Sequence, residues 1–190
     1  MRIVSLAPSN TEILFALGVG DQIVAVTDHC DYPPAARKKP KVGGFSRIDD
    51  ELVKKYKPDL VLTSTVVQHN ALDRYKPHGF NVLHVDPRTL DEVFESWVTI
   101  GQAVGREKRA RSLVHQTKEK ITNYQLRITN YKPRLYCEEW HAPPMVSGNW
   151  VRDIARLSGA VYSLVNSGEI SRQLTTKEIQ RYDPEIIVIT

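Results

Sequence analysis

Cysteine is scarce in this 190-residue chain, and the two present, Cys30 and Cys137, stand far apart. A single pair at that spacing makes neither a disulfide framework nor a zinc site, so the two read as inert thiols in different lobes. No apolar run reaches the roughly 18 residues that a membrane span requires. The opening Met1-Arg2-Ile3-Val4-Ser5-Leu6 goes straight into a strand-like run, without the charged, apolar and small-residue succession of a secretory leader. As written the chain therefore reads as cytoplasmic, and as extracytoplasmic if a leader has been removed.

Catalytic signatures are missing as well. There is no G-x-S-x-G, no P-loop, no G-x-G-x-x-G after the first strand and no H-E-x-x-H or C-x-x-C element. Glu138 and Glu139 are neighbours, so in an extended segment they face opposite ways and form no catalytic pair. An enzyme is excluded on this reading, and no catalytic cofactor is expected. The net charge is +4, and its basic residues gather in Arg106, Lys108, Arg109, Arg111, Lys118 and Lys120. No aromatic residues interleave that run, which therefore reads as a solvated helix face rather than a nucleic-acid footprint.

What the chain does have is a repeat. Tyr56-Lys57-Pro58-Asp59-Leu60-Val61-Leu62 returns as Tyr182-Asp183-Pro184-Glu185-Ile186-Ile187-Val188, 126 positions on (58 to 184). Each copy reads as a short charged helix, a Pro-acid corner and an apolar strand, and self-similarity at such a period means two lobes of like build. Residues 2–6, 22–26, 60–63 and 81–85 read as strands of a first lobe. Ser9 with Glu12 makes a capping box for a helix closing at Gly18. The Pro33-Pro34 and Gly43-Gly44 segments must be loops.

From Leu90 the apolar period becomes helical, and Gly105 divides it. If the second helix runs unbroken over 106–131 it is about 39 Å long at 1.5 Å per residue, the length of a strut between lobes, with Lys132-Pro133 ending it. The second lobe opens with a strand at 134–137, a loop over 140–148 and a helix over 150–157. Nothing after Thr190 corresponds to residues 71–85 of the first lobe. An exposed strand edge is expected there, open to pairing with a second copy of the chain. The organisation read is 1–88 for the first α/β lobe, 89–132 for the connecting helix and 133–190 for a partial second lobe.

Val4-Ser5-Leu6-Ala7-Pro8-Ser9-Asn10-Thr11-Glu12, His29-Cys30-Asp31-Tyr32-Pro33, Lys57-Pro58-Asp59-Leu60-Val61, Trp140-His141-Ala142-Pro143-Pro144-Met145 and Gly148-Asn149-Trp150 occur in that order. In this the chain resembles the helical-backbone (class III) substrate-binding proteins of ABC importers, in their vitamin B12 and iron-chelate branch. The resemblance implies two Rossmann-like α/β lobes, a stiff helical spine and a large metal chelate in the cleft. Such proteins continue past the position of Thr190. They also dock on the permease through an acidic residue on each lobe. Gln68, His69 and Asn70 stand near the first of those places, with Asp73 a little further on.

Candidate ligand contacts follow from where strand ends face a cleft. Residues 7–11 lie at a helix N-terminus, which suits an anionic or amide-bearing group, so Pro8 and Ser9 are candidates, although Ser9 also reads as a plain cap. Tyr32 and Phe45 supply aromatic area for a flat macrocycle. Trp140 is assigned to the cleft, whereas Trp97 and Trp150 fit core spacing. Ser171 and Arg172 are polar candidates of the second lobe. His29, His69 and His141 all follow predicted strands, and a free zinc or manganese receptor is the alternative that would use them; a cytosolic oligomerising protein without a transport role is the other. His141 has a further reading, as an axial imidazole for a chelated cobalt or iron.

Overall fold

The computed structural model describes residues 1–125 and 130–189. The chain divides into two units. The first comprises Met1–Asp86 and Ser96–Ser112, and the second Pro87–Glu95 and Leu113–Thr190.

In the first unit the elements are β1 (Ile3–Ser5), α1 (Pro8–Ala16), β2 (Ile23–Val26), α2 (Asp50–Lys55), β3 (Leu60–Ser64), α3 (Ala71–Tyr75) and β4 (Asn81–Val85). The four strands are all parallel, in the order β2-β1-β3-β4. Strands buried on both faces must be apolar throughout, and Leu60-Val61-Leu62 meets that demand. Val4, Leu6, Ala25, Val42, Val53, Val61 and Tyr75 make the core. The Asp49 carboxylate accepts the backbone N–H groups of Glu51 and Leu52 at 3.0 and 3.1 Å and starts α2. Because β2 lies on one side of β1 and β3 on the other, the chain reverses its winding between β1 and β3. The crevice beyond their carboxyl ends is where open sheets of this kind take ligands.

The second unit holds β5 (Leu135–Trp140), β6 (Met145–Val146), α6 (Val151–Leu157), β7 (Arg172–Gln173), α7 (Thr176–Tyr182) and β8 (Ile186–Ile189). Its sheet runs β7-β6-β5-β8, with β5 and β8 parallel and the other pairs antiparallel. The stretch expected to be loop thus contains β6, too short for any periodicity to reveal. The expected strand over 134–137 runs on to Trp140, which ends β5 instead of following it. Tyr136, Cys137, Val146, Ala155, Tyr162, Val165 and Leu174 form this unit's core. Both cysteines are free and buried, one in each unit.

Helices α4 (Leu90–Ala103) and α5 (Glu107–Gln125) each begin in one unit and end in the other. The chain passes between units three times, once between Asp86 and Pro87 and once within each of these two helices, where the apolar pattern suggested one strut. Near their junction, a Cβ on Gly101 would meet the Ala110 Cβ at 2.5 Å, so only glycine lets the two helices approach this closely. The 19 residues of α5 span about 28 Å. The expected continuation through Ile128 falls outside the described residues.

One local expectation fails. Ser9 caps nothing: α1 starts two residues earlier, with Ala7 as N-cap and Pro8 in the first turn, and no side chain caps its free N–H groups. Proline lacks the N–H that a cap would satisfy and already holds a helical φ, so it takes the first position itself. Glu12 is left exposed, and partial burial followed by the charge of Asp31 raises its carboxyl above the ordinary range.

Candidate functional site

Each unit carries a set of candidate residues at the carboxyl ends of its parallel strands. In the first unit, β1 delivers Pro8, half-buried, and Ser9, exposed, while β3 ends at Ser64. Gln68 ties this rim together. Its amide donates to the Leu6 carbonyl at 2.6 Å and the Phe45 carbonyl at 2.9 Å, and its oxygen accepts the Ser64 N–H at 2.9 Å. Three segments meet in one buried side chain. Gln68 is therefore an internal clamp, unsuited to the surface docking position suggested for it, while His69, Asn70 and Asp73 are exposed. Phe45 is half-buried, its backbone fixed by that clamp.

Tyr32 is 61% exposed, yet its loop is pinned from beneath. The Thr11 hydroxyl donates to the buried Cys30 sulfur at 3.2 Å, and Thr27 bonds the same sulfur at 3.2 Å. Lys41 Nζ donates to the Thr27 and Cys30 carbonyls at 3.2 and 3.0 Å, and Arg37 Nε to the Asp31 carbonyl at 2.9 Å. The ring is held out by an ordered support, so a ligand stacking on it loses little loop entropy.

In the second unit, Glu138, Glu139, Trp140, His141, Ala142 and Ile189 line a concavity of about 360 Å³ at the ends of β5 and β8. Trp140 is 63% exposed, and its indole N–H donates to the Ala142 carbonyl at 3.1 Å, which fixes the ring edge. Glu138 and Glu139 face opposite ways, as their adjacency requires. Glu138 is 7% exposed, and its carboxylate meets the Tyr136 hydroxyl at 2.8 Å and His141 Nδ1 at 2.9 Å. Those bonds, the one from His141 foremost, hold its carboxyl below the usual range. Burial and the same carboxylate push the Tyr136 phenol up.

The outward Glu139 accepts a short hydrogen bond from Ser171, whose oxygen also takes the Gly148 N–H at 3.0 Å. Gly148 packs on the backbone of residues 169–171 with no space for a Cβ. Arg172 is engaged by the Leu164 carbonyl at 3.1 Å and by Glu178 at 3.0 Å. Ser171 and Arg172 thus brace the β6–β7 segment, and neither lines the concavity.

A larger cavity of about 450 Å³ lies among α4, α5 and α6 in the second unit, away from the strand ends. Much of its polar wall is already paired. Lys118 bonds Asp91 at 3.1 Å, and Asp153 accepts from the Leu90 N–H and the Ser167 hydroxyl at 2.9 and 2.7 Å. The strand-end concavity instead carries an exposed aromatic and an exposed imidazole on its wall.

No group of three His, Cys, Asp or Glu side chains among the described residues is arranged to hold a metal ion. His29 and His69 belong to the first unit and His141 to the second. His69 meets His84 edge-to-face at 5.5 Å, and burial lowers the His84 imidazole from its ordinary value.

Comparison with known proteins decides the family. A family model described as periplasmic binding protein matches residues 3–190. The chain belongs to the periplasmic binding protein family. Within it the chain falls in the helical-backbone group, in the branch of the B12- and iron-binding proteins. An uncharacterized ABC transporter substrate-binding lipoprotein, YvrC of Bacillus subtilis, is 42% identical over 128 residues, which is 65% of this chain and 40% of that protein. The vitamin B12-binding protein of Vibrio cholerae is 25% identical over 190 residues, 98% of this chain and 69% of that one. Its crystal structure matches with a TM-score of 0.83, over all of this chain and 76% of the solved one. A possible iron-binding periplasmic solute-binding protein from Staphylococcus epidermidis is 30% identical with a TM-score of 0.84, again over 100% and 76%. This chain therefore spans between 40% and 76% of the length of these relatives. They are binding proteins, not enzymes, as the missing catalytic motifs led one to expect.

The strand-end positions of Tyr32 and Trp140 were readable from sequence. The Gln68 clamp and the Glu138–His141 pair were not singled out. For the pair a signal existed, since E-x-x-H where a strand enters a proline turn can bring acid and imidazole together. For Gln68 there was none, because its three partners are distant in sequence.

Proposed function

We propose that this chain is the substrate-binding component of an ABC-type uptake system, and that it takes a planar metal chelate of the corrinoid kind or a similar iron chelate. One observation carries the reading. In each unit an aromatic ring at the strand ends is left mostly exposed while its backbone or ring edge is fixed by hydrogen bonds, Tyr32 in one and Trp140 in the other. A large ring held in place at a strand end offers preformed apolar area to a flat ligand. The names of the relatives, which speak of vitamin B12, iron and ABC transport, support the same class of ligand. Delivery to a permease and residence outside the cytoplasm belong to the proposal.

The test is mutational. Tyr32→Ala and Trp140→Ala should each weaken cyanocobalamin or haemin binding about tenfold, equal to about 1.4 kcal/mol, with unfolding midpoints unchanged. Affinities equal to the parent chain in both variants would sink the assignment of these rings to the ligand.

A further inference from the structure

We infer that Gln68 is a latch: it holds a strained turn at Thr65 and, with it, the rim segment that carries Phe45. The latch is a property of the first unit alone, and its service to a ligand rests on the chelate reading above. Thr65 follows β3 with a φ of 61°, in the left-handed region that a β-branched side chain avoids. Its backbone is satisfied there. The N–H donates to the Val85 carbonyl at 3.2 Å, and the carbonyl accepts the Gln68 N–H at 3.1 Å. Its hydroxyl is not. Among the described residues, Thr65 Oγ1 is the buried side-chain oxygen left without a partner. A disfavoured backbone and an unpaired hydroxyl in one residue persist only where the surroundings over-determine them.

Gln68 supplies that constraint from three residues on. Its side chain is buried and bonded to the Leu6 carbonyl, the Phe45 carbonyl and the Ser64 N–H. Leu6 and Ser64 are fixed by the sheet, since Leu6 bonds Leu62 at 2.9 Å and Ser64 ends β3. Phe45 is different. It lies in a loop closed at its neck by the Gly43–Ile48 bridge, and Gln68 fastens that loop to the sheet. Opening the latch releases two things together. Thr65 is free to relax into an ordinary conformation, and Phe45 is free to leave the rim. Gln68 touches no ligand; it positions a residue that does.

The alternative is an ordinary buried amide, unconnected with the strain at Thr65. A double-mutant cycle of Thr65→Gly and Gln68→Met, read by urea unfolding, separates the two. Methionine keeps the chain length of glutamine and removes its amide hydrogen bonds. Glycine is at ease at positive φ, so Thr65→Gly should raise the unfolding midpoint of the parent. With Gln68→Met the turn relaxes, and the same change should lower the midpoint, because glycine then only adds freedom to the unfolded chain. An equal shift in both backgrounds overturns the latch, as does a fall on Thr65→Gly in the parent. Should Gln68→Met be too unstable to measure, amide exchange answers in its place. The Ser64 N–H, held by Gln68, should exchange about tenfold more slowly in Thr65→Gly than in the parent, and an unchanged rate overturns the latch.

Haemin titration tests the service to the ligand. Gln68→Met should bind haemin about tenfold more weakly than the parent, the cost of losing a pre-ordered rim. Combined with Phe45→Ala it should bind no more weakly than Phe45→Ala alone, since Gln68 acts through that residue. Equal affinity of Gln68→Met and the parent, or losses that add in the double variant, overturns the positioning role. A parent chain that binds neither haemin nor cobinamide overturns the chelate reading and that role with it, while the unfolding cycle still decides the latch.

Discussion

Strands β3 and β8 are the matched halves of the repeat, and their surroundings are opposite. Each follows a capped helix, with Asp49 the N-cap of α2 and Thr175, 126 positions later, the N-cap of α7. Each is entered through a Pro-acid corner anchored on the arginine at the neighbouring strand's start. The Arg2 N–H donates to Asp59 at 2.7 Å and the Arg134 N–H to Glu185 at 2.9 Å. The Arg2 carbonyl receives Asp59 and Leu60, and the Arg134 carbonyl receives Glu185 and Ile186. Yet every residue of β3 is buried between β1 and β4, whereas β8 has β5 as its strand neighbour and all of Ile186–Ile189 is exposed.

The difference shows what an apolar run encodes. Leu-Val-Leu and Ile-Ile-Val specify a strand built for burial on both faces. Whether that burial is met depends on the next elements, α3 and β4 in the first unit, which have no counterpart beside β8 among the described residues. Among the described residues β8 is the last strand of its sheet, and it is apolar along its whole length.

The largest break in the comparison should come from deleting the same position in both strands. Leu62→Ala removes a fully buried side chain and should cost about 2–5 kcal/mol in urea unfolding. Val188→Ala, its match in β8, should cost under about 1 kcal/mol, as exposed substitutions do. Equal losses would mean that β8 is covered in solution.

Smaller effects sharpen the likeness. Asp49→Ala and Thr175→Ala each remove an N-cap and should each cost about 1 kcal/mol, measurable as lower unfolding midpoints. A cost in only one would show that the two corners are not equivalent.

The subtlest difference lies in acid. Glu178 completes the capping box on Thr175 and pairs with Arg172. The Thr175 N–H foremost, then Arg172, draws its carboxyl down to about 2. The folded value is below the unfolded one, so the box contributes its stability fully above about 4.5 and loses it as pH falls through about 2. A carbon-detected NMR titration of Glu178 should show a midpoint near 2 in the folded chain, and one at the ordinary value would mean the box is open.

Much of this was legible beforehand. The repeat, both Pro-acid corners, the two helices around Gly105 and the strand-end positions of Tyr32 and Trp140 all follow from periodicity and turn residues. The misses have physical causes. Ser-x-x-Glu after Pro8 imitates a capping box, but the proline had already taken the first helical position. The strands β6 and β7, two residues each, are set by pairing partners and carry no period of their own. Gln68 and Glu138 act through buried hydrogen bonds, and polarity alone cannot distinguish a buried clamp from a surface residue.

The most direct test is an equilibrium titration of the unmodified chain with cyanocobalamin, cobinamide and haemin, followed by tryptophan fluorescence and visible absorption. At least one should bind saturably with a Kd at or below about 1 μM, about 8 kcal/mol. If none gives a saturable change well above that concentration, the chain is not a receptor for planar metal chelates.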